Sequence, residues 1–210
     1  MKRIAIIGSG HLGQQIAYHV HQDTEDQVVA FFDEFQTKAT LIQNIPVIGG
    51  NSDVLKEFEI DAFDEILIAI GYKHIDFKKH IFEELKNKIP FYTFIHSSVY
   101  RDPSSNIGQG SVIYPGCIID QEVVIGENVL VNVSCTIAHD TEIGSNSFLS
   151  PSVAIAGFVN IGEQCIVGIN STIIDNINIS PKTQIGGGTV VINHIEKPGL
   201  YVGNPARFVR

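Results

Sequence analysis

Residues 125–160 divide without remainder into six blocks of six: IGENVL, VNVSCT, IAHDTE, IGSNSF, LSPSVA and IAGFVN. Each block opens on an aliphatic residue. The same step carried both ways gives Ile107, Ile113, Ile119, Ile125, Val131, Ile137, Ile143, Leu149, Ile155, Ile161, Val167, Ile173, Ile179, Ile185 and Val191. All fifteen are aliphatic, and no insertion breaks the series. Two residues before each stands a small or β-branched side chain, Ser111, Cys117, Cys135, Thr141 and Cys165 among them. Ile-Gly also recurs every eighteen residues, at 107–108, 125–126, 143–144 and 161–162. A period of six suits neither a helix at 3.6 nor an alternating strand. It suits a parallel β-helix, one short strand and one turn per hexad, three hexads to a triangular coil. The aliphatic residue then points inward and stacks on its equivalent one coil away, at about 4.8 Å. The small residue faces in near the corner, where a larger one would overfill the prism.

Outward from this block the composition changes. Residues 1–100 hold nine Lys or Arg, whereas residues 102–196 hold only Lys182. Such a break predicts two domains, 1–96 and 97–210, joined at the Ser- and Pro-rich stretch near Ser97 to Ser105. The whole chain has 210 residues and a net charge of −9, which argues against a nucleic-acid binder, since that needs a basic face. No apolar run approaches the roughly 20 residues of a membrane helix. Met1 to Ile7 is too short for a signal peptide, which leads us to expect a cytoplasmic protein. All three cysteines fall on the small inward position and are expected to be buried packing residues. No metal site is expected, because no cluster has ligand spacing.

Residues 1–96 read as an α/β unit, a Rossmann-like parallel sheet. Lys2 to Ile7 is a buried strand, followed by Gly8-Ser9-Gly10-His11-Leu12-Gly13 and a helix to about Val20. G-x-G-x-x-G between strand and helix lets the backbone approach a phosphate at the helix N-terminus. A second strand, Gln27 to Phe32, ends at Asp33, the place of a ribose-binding acid in dinucleotide folds. Ser52 is expected to cap a short helix to Glu59. Further strands are expected at Glu65 to Ile70 and Phe91 to Ile95, with a helix from His74 to Lys86. The motif admits three readings: NAD, a purely structural turn, or another nucleotide-bearing ligand. About 95 residues hold little more than one mononucleotide half, and the β-helix offers no hydride-acceptor domain, which disfavours NAD.

The hexad pattern resembles the hexapeptide-repeat acyltransferases, whose β-helix is left-handed, and Tyr201-Val202-Gly203-Asn204-Pro205-Ala206-Arg207 resembles their closing signature. With the N-terminal unit, the whole chain resembles the subgroup that acetylates nucleotide-linked amino sugars, together with the similar sialic acid O-acetyltransferases. The fold implied is an α/β domain followed by an all-β left-handed parallel β-helix. The resemblance implies acetyl-CoA as co-substrate, and a UDP-, dTDP- or GDP-type amino sugar as acceptor, used in polysaccharide biosynthesis. It also implies a homotrimer with its active site between subunits. The base of the nucleotide is then expected near Phe32, Asp33 and Glu34. Its phosphates are expected near Gly8, Ser9, Gly10 and His11, with Gly71, Tyr72 and Lys73 close by. The subgroup's turn is G-x-x-G-H-G-like, whereas this chain has one residue fewer before Gly10-His11 and Leu12 before Gly13.

His139, in Thr136-Ile137-Ala138-His139-Asp140, matches the subgroup's general base, with Asp140 as the following acid and Asn132 as a further site position. Its two residues' distance past the inward Ile137 places it on a coil corner facing outward. Acyl transfer to an amine needs a proton removed, and an imidazole titrates near neutrality. The plain alternative is an exposed turn histidine. Acetyl-CoA is expected along Ala156, Gly157, Gly168, Ile169, Gly186 and Gly187, where small residues admit a pantetheine arm. The resemblance implies Gly157 as oxyanion donor, and Lys182, Lys197, Arg207 and Arg210 are the cations available to a 3′-phosphate. Acceptor N–H, acceptor O–H and a catalytically dead scaffold stand as three readings; the intact His139–Asp140 pair disfavours the last.

Overall fold

The computed structural model describes residues 1–210. They form two compact units, Met1–Thr93 and Phe94–Arg210.

The first unit is a five-stranded sheet with helices. Its strands are β1 (Arg3–Ile7), β2 (Gln27–Phe32), β3 (Leu41–Ile42), β4 (Ile45–Gly49) and β5 (Glu65–Ile68), in the order β3-β4-β2-β1-β5. β4, β2, β1 and β5 run parallel, and β3 folds back antiparallel on β4. The helices are α1 (His11–Asp23), α2 (Val54–Glu59) and α3 (Ile75–Leu85). Alternate residues of a strand face opposite ways. Ala5 and Ile7 therefore share one core with Ile81, Phe82 and Leu85 of α3. On α1, Ile16, Ala17 and Val20 form the buried stripe at helical spacing.

Three local expectations are corrected. Ser52 does not cap α2; a 3₁₀ turn, Asn51–Asp53, leads into the helix, and the Asp53 carboxylate accepts a hydrogen bond from the Gly50 amide at 2.9 Å. Phe91 to Ile95 is not one strand: Phe91 makes a single bridge to Ile66, and Phe94–Ile95 pairs with Val112–Ile113 in the second unit. The β3–β4 hairpin was not foreseen.

In the second unit, fifteen two-residue strands recur every six residues, from Asn106–Ile107 to Val190–Val191. They stack in register at a spacing of eighteen, as in Ile119↔Ile137↔Ile155↔Ile173↔Val191. The three stacks form the faces of a parallel β-helix. The second residue of each strand enters the core, buried from Ile113 onward. The small position does more than save space. Ser111 Oγ donates to the Gly126 carbonyl and accepts from the Val129 amide, binding coil to coil. Cys117, Cys135 and Cys165 direct Sγ at carbonyls in the same way, fifteen residues on. The thiols are buried and free, and burial pushes Cys165 up to about 11.

Turning the chain requires one left-handed residue per corner. Eleven non-glycine residues six apart, from Glu122 to Lys182, have φ between 54° and 62°. Gly110, Gly116 and Gly188 take the same position with φ 73°, 74° and 67°. Asparagine, aspartate and glycine tolerate this conformation best, which explains their frequency there. At the end of the prism, Leu200–Val202 pairs with Gln184–Ile185, and Arg207–Phe208 folds back antiparallel on it, so the tail occupies an otherwise open edge.

Candidate active site

In the first unit, the C-terminal ends of β1, β2 and β5 surround a cavity of about 310 Å³. This is where ligands enter a parallel α/β sheet. Of the residues expected to bind the nucleotide, Gly8, Asp33, Glu34 and Gly71 line it, and Phe35, Asn51, His74 and Phe77 join them. Those four were missed; only the rule that ligands sit beyond strand ends pointed to them. Ser9, Gly10, Tyr72 and Lys73 do not line the cavity, and His11 borders a shallow depression with Gln14, Tyr18 and Gln43.

The acid at the end of β2 is occupied within the chain. Asp33 Oδ2 accepts from the Ser9 amide at 2.9 Å and the Ser9 hydroxyl at 2.6 Å, and Oδ1 accepts from the Phe35 amide at 2.9 Å. Burial pushes its pKa up, but these hydrogen bonds outweigh burial and hold it below the usual carboxylate range. Asp33 thus braces the glycine turn from below. Glu34 likewise accepts from the Asn51 amide at 2.6 Å.

The turn glycines have different reasons. Gly8 has φ +97°, and a Cβ on Gly13 would collide with the Gly8 carbonyl oxygen. By contrast, a Cβ on Gly10 or Gly71 would meet nothing within 4 Å, and neither has positive φ. Packing inside the chain does not require glycine at these two positions. Their bare backbone is open to a bound group.

In the second unit, His139 stands on the corner after strand Thr136–Ile137, with its side chain 46% exposed. Its Nδ1 lies 2.9 Å from Asp140 Oδ2. In the neutral ring this contact places the proton on Nδ1 and the lone pair on Nε2. Nε2 makes no hydrogen bond within the chain. The ring lies over Gly157, one coil on: a Cβ there would come within 2.7 Å of Cε1 and 2.8 Å of Nε2. Phe158 meets the imidazole edge-on, with centroids 5.1 Å apart. Thr141 steadies the turn by donating to the Ala156 carbonyl.

Asn132 is not part of this cluster. It occupies the preceding corner, where its Oδ1 accepts from the Val133 amide. Ala156 borders an open groove of about 340 Å³ with Thr136, Ala154, Thr172 and Asp175. Gly168, Gly186 and Gly187 each have a packing reason to lack a side chain. A Cβ on them would meet the Gly187 amide at 2.5 Å, Val202 at 2.7 Å and Ile169 at 3.1 Å, respectively. Lys182 and Arg207 are exposed. No group of three or more His, Cys, Asp or Glu side chains could hold a metal ion. No helix is long and apolar enough to cross a membrane.

Both segments have counterparts among known proteins. Residues 3–85 match the PglD N-terminal domain, and residues 122–157 match the bacterial transferase hexapeptide (six repeats). No curated protein matches the chain. Among solved structures, the acetyltransferase domain of PglB from Neisseria gonorrhoeae in complex with acetyl coenzyme A is 25% identical. It covers 99% of each chain with a TM-score of 0.88. A mutant of perosamine N-acetyltransferase from Caulobacter crescentus, in complex with CoA and GDP-perosamine, is 23% identical. There the match covers 100% of this chain and 98% of that one, at a TM-score of 0.91. WeeI from Acinetobacter baumannii is 21% identical over the full length of both chains, at 0.83. With both segments so matched, the chain resembles the hexapeptide-repeat acetyltransferases that carry a PglD N-terminal domain ahead of the β-helix.

Proposed function

We propose that this acetyltransferase moves the acetyl group of acetyl-CoA onto the amino group of a nucleotide-linked 4-amino sugar, with His139 as general base. The observation that carries the reading is the Nδ1–Asp140 contact, which leaves Nε2 as an acceptor at an exposed corner. The acceptor amine attacks the thioester carbonyl, forming the C–N bond, and its proton passes to Nε2. Asp140 stabilises the resulting imidazolium. As the C–S bond breaks, the imidazolium returns the proton to the departing CoA thiolate. No acyl-enzyme is needed when both substrates are held together, since proximity supplies much of the rate. The backbone amide of Gly157, beneath the ring, is our candidate oxyanion donor.

The cavity lined by Gly8, Asp33, Glu34 and Gly71 is the proposed seat of the nucleotide, with Gly10 and Gly71 leaving room for its phosphates. The groove beside Ala156 is the proposed course of the pantetheine arm. Two named relatives support this pairing of substrates, one bound to acetyl coenzyme A and the other to CoA and GDP-perosamine. We place the enzyme in the cytoplasm as a homotrimer serving polysaccharide biosynthesis. Tyr100 and Ile118, exposed on the outer face of one stack, are apolar surface that a second copy would cover.

The test is a panel of UDP-, dTDP- and GDP-linked amino sugars with acetyl-CoA, read as free thiol release. Turnover of one such amino sugar is expected, and His139→Ala is expected to lower kcat by about 10²- to 10⁴-fold. Turnover of hydroxyl acceptors alone would replace the reading with O-acetylation. Undiminished activity in folded His139→Ala would remove His139 as the base.

A further inference from the structure

The left-handed corner residues follow one chemical rule with one exception. Ten of the eleven non-glycine residues there are Glu, Asn, Ser, Asp, Gln or Lys. The eleventh is Phe158, with φ 57°. A bulky side chain in this region is strained, and strained residues cluster where a site requires them. Phe158 is also 55% exposed, so core burial does not repay the strain. Two unfavourable features thus coincide in one residue.

Its neighbours account for it. Phe158 is the eighteen-residue equivalent of Asp140, one coil on, and its amide donates to the His139 carbonyl at 3.2 Å. Its ring stands at 85° to the imidazole, 5.1 Å away. Asp140 holds Nδ1, Gly157 supports one face of the imidazole, and Phe158 closes on it edge-on. Without Phe158, the half-exposed ring of His139 has only one hydrogen bond to resist rotation about its side-chain torsions.

We propose that Phe158 is a positioning residue that locks the imidazole of His139 with Nε2 directed at the acceptor. The proposal rests on the reading of His139 as the base. Strain at the corner is maintained because the aromatic ring fixes the geometry of a proton transfer, and small misplacements at such a site are costly in rate.

Phe158→Asn and Phe158→Tyr test it. Asparagine suits the left-handed corner, so Phe158→Asn should raise Tm by about 2–4 °C. The same variant should lose about tenfold or more in kcat, with the acetyl-CoA KM changed less than about threefold. Phe158→Tyr keeps the ring and should restore kcat. In nitrogen-edited NMR, the Nδ1–H signal of His139 should be seen in the wild type and Phe158→Tyr and be lost to exchange in Phe158→Asn. An unchanged kcat and an unchanged ring signal in Phe158→Asn would overturn the proposal. So would a joint fall in Tm and kcat that Phe158→Tyr fails to rescue, which would mark Phe158 as a packing residue. The ring signal does not depend on turnover. A wild-type chain that acetylates no sugar would therefore sink the functional reading while the NMR arm still decided the role of Phe158.

Discussion

The two units answer to different kinds of rule. In the β-helix, each residue's place is set by its number modulo six, so most side chains are explained before their neighbours are known. There the candidate site consists of departures from the rule: a histidine on a turn, a glycine beneath it, an aromatic residue where polar ones belong. In the α/β unit nothing repeats, and the lining residues of the cavity arrive from several strand ends and the segments that follow them. The difference teaches where function hides. In a repeat it is found as an exception, and in a wound sheet it is found as a location.

If that contrast is sound, changes in the β-helix site should cut activity while sparing the fold. The steepest loss is the one already assigned to His139→Ala. Next comes Gly157→Ala. The added methyl would press first on the imidazole, so the ring, a movable group, must yield. A fall of about 10² in kcat is expected, with Tm nearly unchanged. A large drop in Tm would show that Gly157 serves the coil, and the contrast would lose its clearest case.

In the α/β unit the effects should mix binding with stability. Asp33→Asn places an amide donor or a weaker acceptor against the Ser9 amide and hydroxyl. The expected cost is about 1–3 kcal/mol in unfolding free energy, with weaker sugar-nucleotide binding by calorimetry. The pH dependence has a definite sign. Asp33 has a depressed pKa when folded, so its contribution is present above the unfolded value near 3.9 and is lost as pH falls through the folded value. Asp33→Asn should abolish that part of the acid sensitivity, and a variant equally sensitive to acid would remove Asp33 as its source.

The smallest effect belongs to Lys78, on the inner side of α3. Burial brings its pKa down to about 7. The unfolded chain binds this proton near pH 10.4 and the folded chain only near 7, so stability rises with pH between these values. Lys78→Met should therefore add about 1 kcal/mol near pH 7, a gain that shrinks toward pH 10 in denaturant titrations. A gain of the same size at both ends of the range would exclude lysine ionisation as its cause.

What could be read in advance divides along the same line. The prism, its inward aliphatic series and its buried cysteines follow from counting. His139 and Asp140 follow from the count plus a motif. Phe158 did not stand out, although the recurring Asn, Ser and Gly of its position were in plain view, because the need for a left-handed residue at each corner emerges only with the backbone. The β3–β4 hairpin was hidden because its turn is Gln43-Asn44, both at positive φ, without the glycine that usually marks such turns. Asp33 was visible as an acid at a strand end, but its engagement with Ser9 depends on how the turn folds over it. His74 and Phe77 needed the sheet order before they could be placed beside Gly8 and Glu34.

The stacking of equivalents eighteen residues apart has an evolutionary side. Substitutions can accumulate at outward positions away from the candidate site, but length can change only in fixed quanta. A single inserted residue between Ile107 and Val191 would turn every later aliphatic side chain out of the core. Six would keep the inside in but rotate all later coils by one face. Only eighteen would leave each face in line, and even then not between His139 and Gly157, where an extra coil would separate the ring from its seat. The enzyme's lineage is thus free to lengthen its prism above and below the site while the interval across it stays at one coil.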